Sequence, residues 1–189
     1  MDYNKATDWE LVKLANENPQ YFRYIVERYQ DRIFRYLKRM SYYGTEDVED
    51  MVQEVFIKVY RGMNDFESTD KFSSLIYRIA HNHLVDCIRK SSCRYDKNYL
   101  DDEEAINLIR SEINIEKDFA GKEAIEKVKS AISQLPENYR EVLILKFLED
   151  KKIEEIVDIL RKPQGTIATL LRRGREMLKK ELLKAEIKS

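Results

Sequence analysis

Apolar side chains recur at helical spacing along most of the chain, and residues that interrupt helices are rare. The 189 residues include only 5 glycines and 3 prolines, fewer than the turns of a β-sandwich or barrel need. Between residues 48 and 60 the apolar positions follow the i, i+3, i+4 pattern of one helix face. We therefore predict an all-α protein with two small helical domains.

Four helices are predicted for the first domain, residues 1–92. Thr7 and Glu10 have capping-box spacing and open a short helix that runs to about Ala15. A long amphipathic helix spans 22–40, and the 48–60 stripe follows Gly44. The fourth helix has an apolar stripe made of Phe72, Leu75, Ile76, Ile79, Ala80, Leu84 and Cys87.

Residues 93–117 have a different composition, because they are polar, mostly acidic and without a sustained apolar stripe. This composition predicts a flexible linker that is partly disordered when alone. The alternative is a loosely docked acidic helix near 106–115.

The second domain, residues 118–189, has the layout of a helix-turn-helix. A helix carrying apolar residues from Ile125 to Leu135 is followed by Pro136, which suits the first turn of the next helix. The segment 153–160 then leads through a short connection containing Pro163 and Gly165 into a long basic helix. Its predicted inward positions are Ile167, Leu171, Gly174 and Leu178.

Charge is strongly segregated although the formal net charge is only −1. Residues 47–54 carry four acidic side chains and no cation, whereas 172–184 are strongly basic. Such blocks indicate two kinds of partner, a protein and a polyanion, and the simpler alternative is solvated helix faces.

The sequence offers nothing that predicts a membrane span, a catalytic centre or a cofactor. No apolar run approaches the roughly 20 residues of a membrane helix, and residues 1–10 do not resemble a signal peptide. We expect a cytoplasmic protein with Cys87 and Cys93 as reduced thiols. His81 and His83 project to opposite sides of a helix, so no metal site is expected, and His83 is interpreted as a hydrogen-bonded core residue.

Three segments in order closely resemble the extracytoplasmic-function (ECF) group of the sigma-70 family of bacterial RNA polymerase sigma factors. "DVEDMVQEVFIKVYRGMNDF" is similar to the family's polymerase-binding helix, and "FSSLIYRIAHNHLVDCIRK" to its −10 recognition and melting helix. "LPENYREVLILKFLEDKKIEEIVDILRKPQGTIATLLRRGREMLKK" resembles its −35-binding domain. The resemblance implies sigma region 2 at 1–92 and region 4 at 118–189. It also implies a subunit that is not itself an enzyme.

The implied partners are the clamp helices of the largest polymerase subunit, promoter DNA and an anti-sigma factor. The clamp would be met by an acidic, amide-bearing surface with one apolar contact: Asp50, Gln53, Glu54 and Ile57.

Promoter melting requires bases to leave the duplex, which costs a few kcal/mol unless the protein stacks and hydrogen-bonds them. By the resemblance, Phe66 captures a flipped base and Tyr77 flanks it as an exposed aromatic. The alternative for both rings is packing at the domain edge. The polar residues implied at the −10 element are Arg78, Asn82, Asp86 and Arg89.

This chain departs from the family pattern at three positions. Leu75 replaces the usual Trp, and Ala168 and Leu170 stand where a basic residue is usual. The −35 contacts that remain are cations and N-terminal polar residues of the recognition helix: Lys162, Gln164, Thr166, Thr169, Arg172, Arg173 and Arg175.

Two other classes of function remain open from the sequence. A stand-alone helix-turn-helix regulator would dimerise on a palindromic site, and a pure interaction module would use its helix faces for proteins only. Co-purification with core polymerase separates both from a sigma factor.

Overall fold

The structure is a computed structural model that describes residues 3, 5–41, 43–66, 71–90, 128 and 130–187. These residues are helical or connect helices, and no strand occurs among them. The chain separates into two compact units, one mainly from Met1–Arg94 and the other mainly from Tyr95–Val157 and Arg161–Ser189. The predicted all-α class with two helical domains is confirmed.

The first unit contains the four helices that the sequence predicts. They are α1 (Asp8–Glu17), α2 (Phe22–Met40), α3 (Thr45–Gly62) and α4 (Phe72–Lys90). Single 3-10 turns at Pro19–Tyr21 and Met63–Asp65 follow α1 and α3. The capping box is present, because Glu10 N–H donates to Thr7 Oγ1 at 3.3 Å and Thr7 N–H donates to Glu10 Oε2 at 2.7 Å.

The buried face of α4 is rotated from the predicted stripe. Leu75, Ile79 and Cys87 are only half-buried, whereas Tyr77 and His83 are buried. The reason is that Tyr77 packs against Tyr36 of α2 with ring centroids 5.2 Å apart. The core between the helices combines aromatic rings with aliphatic side chains, and its aliphatic members that are at most 1% exposed include Leu11, Ile25, Ile33, Leu37, Val55 and Ile76.

A polar cluster attaches α1 to α2. Arg28 lies 2.7 Å from one carboxylate oxygen of Asp8, and the Tyr29 hydroxyl donates to the other at 2.6 Å. Burial, and then the hydrogen bond to Asp8, raise the pKa of Tyr29, so its hydroxyl remains a donor.

The second unit has the predicted helix-turn-helix layout with one irregularity. After a helical stretch at residues 130–133, α5 (Glu137–Leu143) continues directly into one π-helical turn, Ile144–Leu148. The sequence predicts one regular helix there. Two further helices follow, α6 (Ile153–Leu160) and α7 (Gln164–Ile187). Arg161 ends α6 in the left-handed conformation with φ 53°.

The inward face of α7 is as predicted. Ile167, Leu171 and Leu178 are at most 2% exposed, and Gly174 is buried. A Cβ on Gly174 would lie 3.3 Å from the Leu143 side chain. The absence of a side chain at 174 therefore lets α7 lie close to α5.

Several sequence-based expectations fall on residues outside the described ranges. These are the linker at 93–117, the alternative helix near 106–115, Cys93 and the first residues, 125–127, of the helix predicted from Ile125. The boundaries 1–92 and 118–189 remain predictions. Across the described helices, none has the length and apolar character needed to span a bilayer.

Candidate functional site

The predicted polymerase contacts form one exposed face of α3. Asp50, Gln53, Glu54 and Ile57 are all exposed, and Ile57 is unusual for an apolar residue because it is 49% exposed. At about 100° per residue the four side chains fall within an arc of roughly 100°. The buried residues of α3, which include Val48 and Val55, point elsewhere. We call these four residues the α3 surface.

Tyr60 lies beside this surface, and the sequence did not predict its exposure. The apolar periodicity placed Tyr60 in the buried stripe, but its side chain is 39% exposed. Its ring packs edge-on against Phe22 of α2, with centroids 5.1 Å apart. Exposed apolar area therefore extends along α3 from Ile57 to Tyr60. The only sequence signal for it is the spacing of three residues from Ile57.

Glu54 contacts a buried histidine of the neighbouring helix. His83 of α4 is 6% exposed, and its Nε2 lies 3.5 Å from Glu54 Oε2. The Nδ1 of the same ring lies 2.7 Å from Lys58 Nζ, and Nε2 also lies 3.7 Å from Cys87 Sγ. The interpretation of His83 as a hydrogen-bonded core residue is confirmed. Burial, and next the Lys58 charge, lower the pKa of His83.

Among the residues that the structure describes, no group of three His, Cys, Asp or Glu side chains is arranged to hold a metal ion. His81 contacts the Tyr36 hydroxyl through Nδ1 at 3.4 Å, away from the His83 cluster. Burial is the main cause that raises the pKa of the Cys87 thiol, which favours its neutral form.

The predicted −10 polar residues line one face of α4. Asn82, Asp86 and Arg89 are exposed and Arg78 is half-exposed. Their spacing of four, four and three residues keeps them on the same side of the helix. We call these residues the α4 row. The row combines two cations with an amide and a carboxylate, so it can contact both phosphates and base edges.

The expectation that Phe66 and Tyr77 are exposed aromatics is wrong. Phe66 is 5% exposed and Tyr77 is 1% exposed. The Phe66 ring packs against Trp9 and Phe72, with centroid distances of 5.9 and 5.2 Å. Both rings therefore occupy the core, as the packing alternative holds, because aromatic partners from α1, α2 and α4 surround them.

The seven candidate −35 residues, which we call the α7 set, differ in how freely their side chains can contact DNA. Lys162 Nζ lies 3.1 Å from Oε2 of Glu141, whose side chain is 6% exposed. This pairing offsets the Lys162 charge and attaches the turn before α7 to α5. Lys162 is therefore better placed to hold the helix-turn-helix together than to neutralise a phosphate.

The three arginines of the α7 set also have distinct environments. Arg172 is paired with Glu176 at 2.7 Å, but both side chains are more than half exposed, so water screens the pair. The Arg175 guanidinium lies 5.8 Å from the centre of the Phe147 ring, within the range of a cation–π contact. Arg173 is exposed. Arg172 and Arg173 are thus the cations most available to a polyanion.

Polar residues at the start of α7 face solvent. Gln164, Thr166 and Thr169 are exposed, and so is Ala168. The Thr169 hydroxyl donates to the Gly165 carbonyl at 2.8 Å, so toward a base it can offer its methyl group or act as an acceptor. Leu170 is half-buried.

Comparison with known proteins gives these surfaces a family. The family model described as Sigma-70 region 2 matches residues 25–93, and the model described as Sigma-70, region 4 matches residues 125–178. The ECF RNA polymerase sigma factor SigW of Bacillus subtilis is 35% identical over 169 residues, covering 85% of this chain and 88% of that protein. The chain belongs to the ECF group of the sigma-70 family. Its function is that of a sigma factor.

Other relatives of this sigma factor match over most of their length. The ECF RNA polymerase sigma-E factor of Escherichia coli K12 is 31% identical, covering 92% of this chain and 93% of that protein. The solved structure of CnrH with the cytosolic domain of CnrY has a TM-score of 0.68 at 21% identity. It covers 94% of this chain and 97% of that chain, and the likeness shows a shared fold.

Proposed function

We propose that this sigma factor acts in the cytoplasm as a dissociable, non-enzymatic subunit. It directs bacterial RNA polymerase to specific promoters and assists their melting. The polymerase supplies the catalysis, and the sigma factor supplies a protein-binding surface and two DNA-binding surfaces. The order of these surfaces along the chain follows the two matched regions.

The observation that carries the proposal is the exposed α3 surface. An acidic helix face with an exposed isoleucine at its centre is unfavourable for DNA, because carboxylates repel phosphates. It suits a basic protein surface with an apolar contact at its centre. The clamp helices of the largest polymerase subunit are the proposed partner of Asp50, Gln53, Glu54 and Ile57.

The α4 row is the proposed −10 contact. Arg78 and Arg89 neutralise phosphates, while Asn82 and Asp86 bond to the edges of unpaired bases. Because Phe66 and Tyr77 are core residues, the row acts without an exposed aromatic at either position.

The −35 contact is proposed for the exposed part of the α7 set. Gln164, Thr166 and Thr169 face base edges near the N-terminus of α7, and Arg172 and Arg173 contact phosphates. Lys162 and Arg175 stabilise the helix-turn-helix through Glu141 and Phe147.

An anti-sigma factor is the proposed regulator. Such a protein would bind over the α3 surface, which would prevent assembly with polymerase, or over the α7 set, which would prevent binding to DNA. A solved structure of the same fold holds the sigma factor RpoE of Bartonella quintana with the anti-sigma factor NepR.

Substitution of the α3 surface tests the proposal. The double variant Gln53→Ala, Glu54→Ala should weaken binding to core polymerase by roughly 1–3 kcal/mol, a typical loss at an interface hot spot. Glu49→Ala is the matched control, because Glu49 is exposed on α3 outside the arc of the surface and also loses one negative charge. Affinity is measured by titration of core polymerase with labelled sigma factor.

Equal affinity of the double variant and the control would contradict the assignment of the α3 surface. Absence of wild-type binding, with no promoter-specific transcript in a run-off assay, would instead favour a stand-alone helix-turn-helix regulator.

A further inference from the structure

Glu54 of the α3 surface has a polar contact with a buried residue of the neighbouring helix, His83. Its carboxylate lies 3.5 Å from His83 Nε2, yet the Glu54 side chain remains 62% exposed. A partner can therefore reach the same carboxylate that the histidine contacts.

The contact with Lys58 fixes the proton on the imidazole. An ammonium group can only donate, so the 2.7 Å contact requires His83 Nδ1 to be the acceptor. The neutral ring then carries its proton on Nε2. That N–H lies 3.7 Å from Cys87 Sγ, with which it hydrogen-bonds. The Glu54 carboxylate lies 3.5 Å from the same nitrogen, where its charge attracts the N–H dipole.

We infer that His83 is a positioning residue for the polymerase-binding surface: held by Lys58 on one side, it fixes the Glu54 carboxylate on the other. The inference rests on the proposed role of the α3 surface. A free glutamate loses rotamer freedom when it binds. A side chain already held in one arrangement loses less, which increases affinity.

Two substitutions separate the two sides of the ring. The amide of Asn superposes approximately on Nδ1 of histidine, so His83→Asn keeps an acceptor for Lys58 and loses the donor toward Glu54. The amide of Gln superposes approximately on Nε2, so His83→Gln keeps a donor toward Glu54. Asn is one methylene shorter than Gln, so the two variants differ in packing, and the Glu54→Ala background separates that effect from the loss of the donor.

Binding of the full chain to core polymerase is measured for wild type and both variants, each alone and combined with Glu54→Ala. His83→Asn should weaken binding about 3- to 10-fold, the effect expected for one side chain that is no longer held. His83→Gln should retain most of the affinity. In the Glu54→Ala background His83→Asn should have no further effect, because the group through which it acts is gone.

A purely structural role predicts a different result: His83→Asn would reduce the affinity for core polymerase by the same factor with and without Glu54. That outcome, or full affinity of His83→Asn, would overturn the inference. If Glu54→Ala leaves polymerase affinity unchanged, the inference falls while wild-type binding still supports the proposed function. If the wild type does not bind polymerase, both fall.

Discussion

Lys162 Nζ and Glu141 Oε2 lie 3.1 Å apart, which joins the turn of the helix-turn-helix to a buried residue of α5. Such a charge-assisted hydrogen bond contributes about 1.5–3 kcal/mol when its partners are well ordered. Lys162 is 36% exposed, so solvent weakens the pair. The pair links α5 to the turn that follows α6, across the whole of that helix.

The first prediction concerns this pair. Lys162→Met should lower the free energy of unfolding by about 1–2 kcal/mol, because Glu141 loses a charged partner. Urea denaturation of the full chain measures the effect. Arg173→Met is the control: stability should stay within about 0.5 kcal/mol, while −35 DNA binding should weaken. The opposite ranking would show that Lys162 is mainly a phosphate contact.

The second prediction concerns Ala168, which is exposed and lies outside the inward face of α7. Ala168→Lys should strengthen DNA binding about equally across sequences and steepen the salt dependence by about one unit of slope. Titrations on cognate and scrambled −35 duplexes at several salt concentrations measure this. Weaker binding to the cognate duplex alone would mean that the small side chain allows close contact with a thymine methyl group.

The third prediction follows from the burial of Phe66 against Trp9 and Phe72. Phe66→Ala should destabilise the first unit by about 3–5 kcal/mol, the usual cost of removing a core phenylalanine. Phe66→Leu should cost much less, since it refills most of the volume. Urea denaturation followed by tryptophan fluorescence is suitable because Trp9 is the chain's single tryptophan. A loss below about 0.5 kcal/mol would indicate an exposed ring.

The fourth prediction concerns pH. Burial and Lys58 lower the pKa of His83 from 6.5. Below pH 6.5 the unfolded chain then binds more protons at this site than the folded chain. The contribution of His83 to the free energy of unfolding is therefore fully present above about pH 6.5, and it is lost as the pH decreases toward the folded-state pKa. His83→Gln should remove this part of the dependence. Urea midpoints between pH 7.5 and 5.5 test it, and a wild type that gains stability relative to the variant on acidification would contradict it.

The fifth prediction concerns Arg161, which has φ 53° at the end of α6. A residue with a side chain costs roughly 1–2 kcal/mol in this conformation, and glycine avoids that cost. Glycine also loses more backbone entropy on folding, which offsets part of the gain. Arg161→Gly should therefore stabilise the second unit by up to about 1 kcal/mol. Arg161→Ala retains the strain and should give no such gain. Thermal unfolding of both variants provides the comparison.

The sequence predicted the helices well because each apolar stripe is a local pattern. The helices α2 and α4 begin and end close to the predicted residues, and the inward face of α7 is as expected. The π-helical turn at Ile144–Leu148 was not predictable. A π-helical turn inserts one extra residue into a helix. Because every residue from Arg140 to Leu145 is buried, the apolar pattern has no exposed positions there that would reveal the insertion.

The candidate surfaces were only partly predictable. Exposure of the α3 surface and the α4 row follows from their position outside the apolar stripes. Burial of Phe66 and Tyr77 does not, because it depends on rings contributed by Trp9 and Tyr36, which are far away in sequence. The pairing of Lys162 with Glu141 depends in the same way on a contact across 21 residues.

The close approach of Gly174 to Leu143 belongs to one of two faces of α7 that have separate roles. The inward face sets where the helix lies, because any larger side chain at 174 would meet the Leu143 side chain 3.3 Å away. The outward face near the start of the helix, which includes Thr166, Ala168 and Thr169, is exposed to solvent and supports no part of the core. Under the proposed −35 role of α7, promoter preference can therefore diverge among descendants of this chain through exposed substitutions alone, with little loss of stability to restrict the order in which they accumulate.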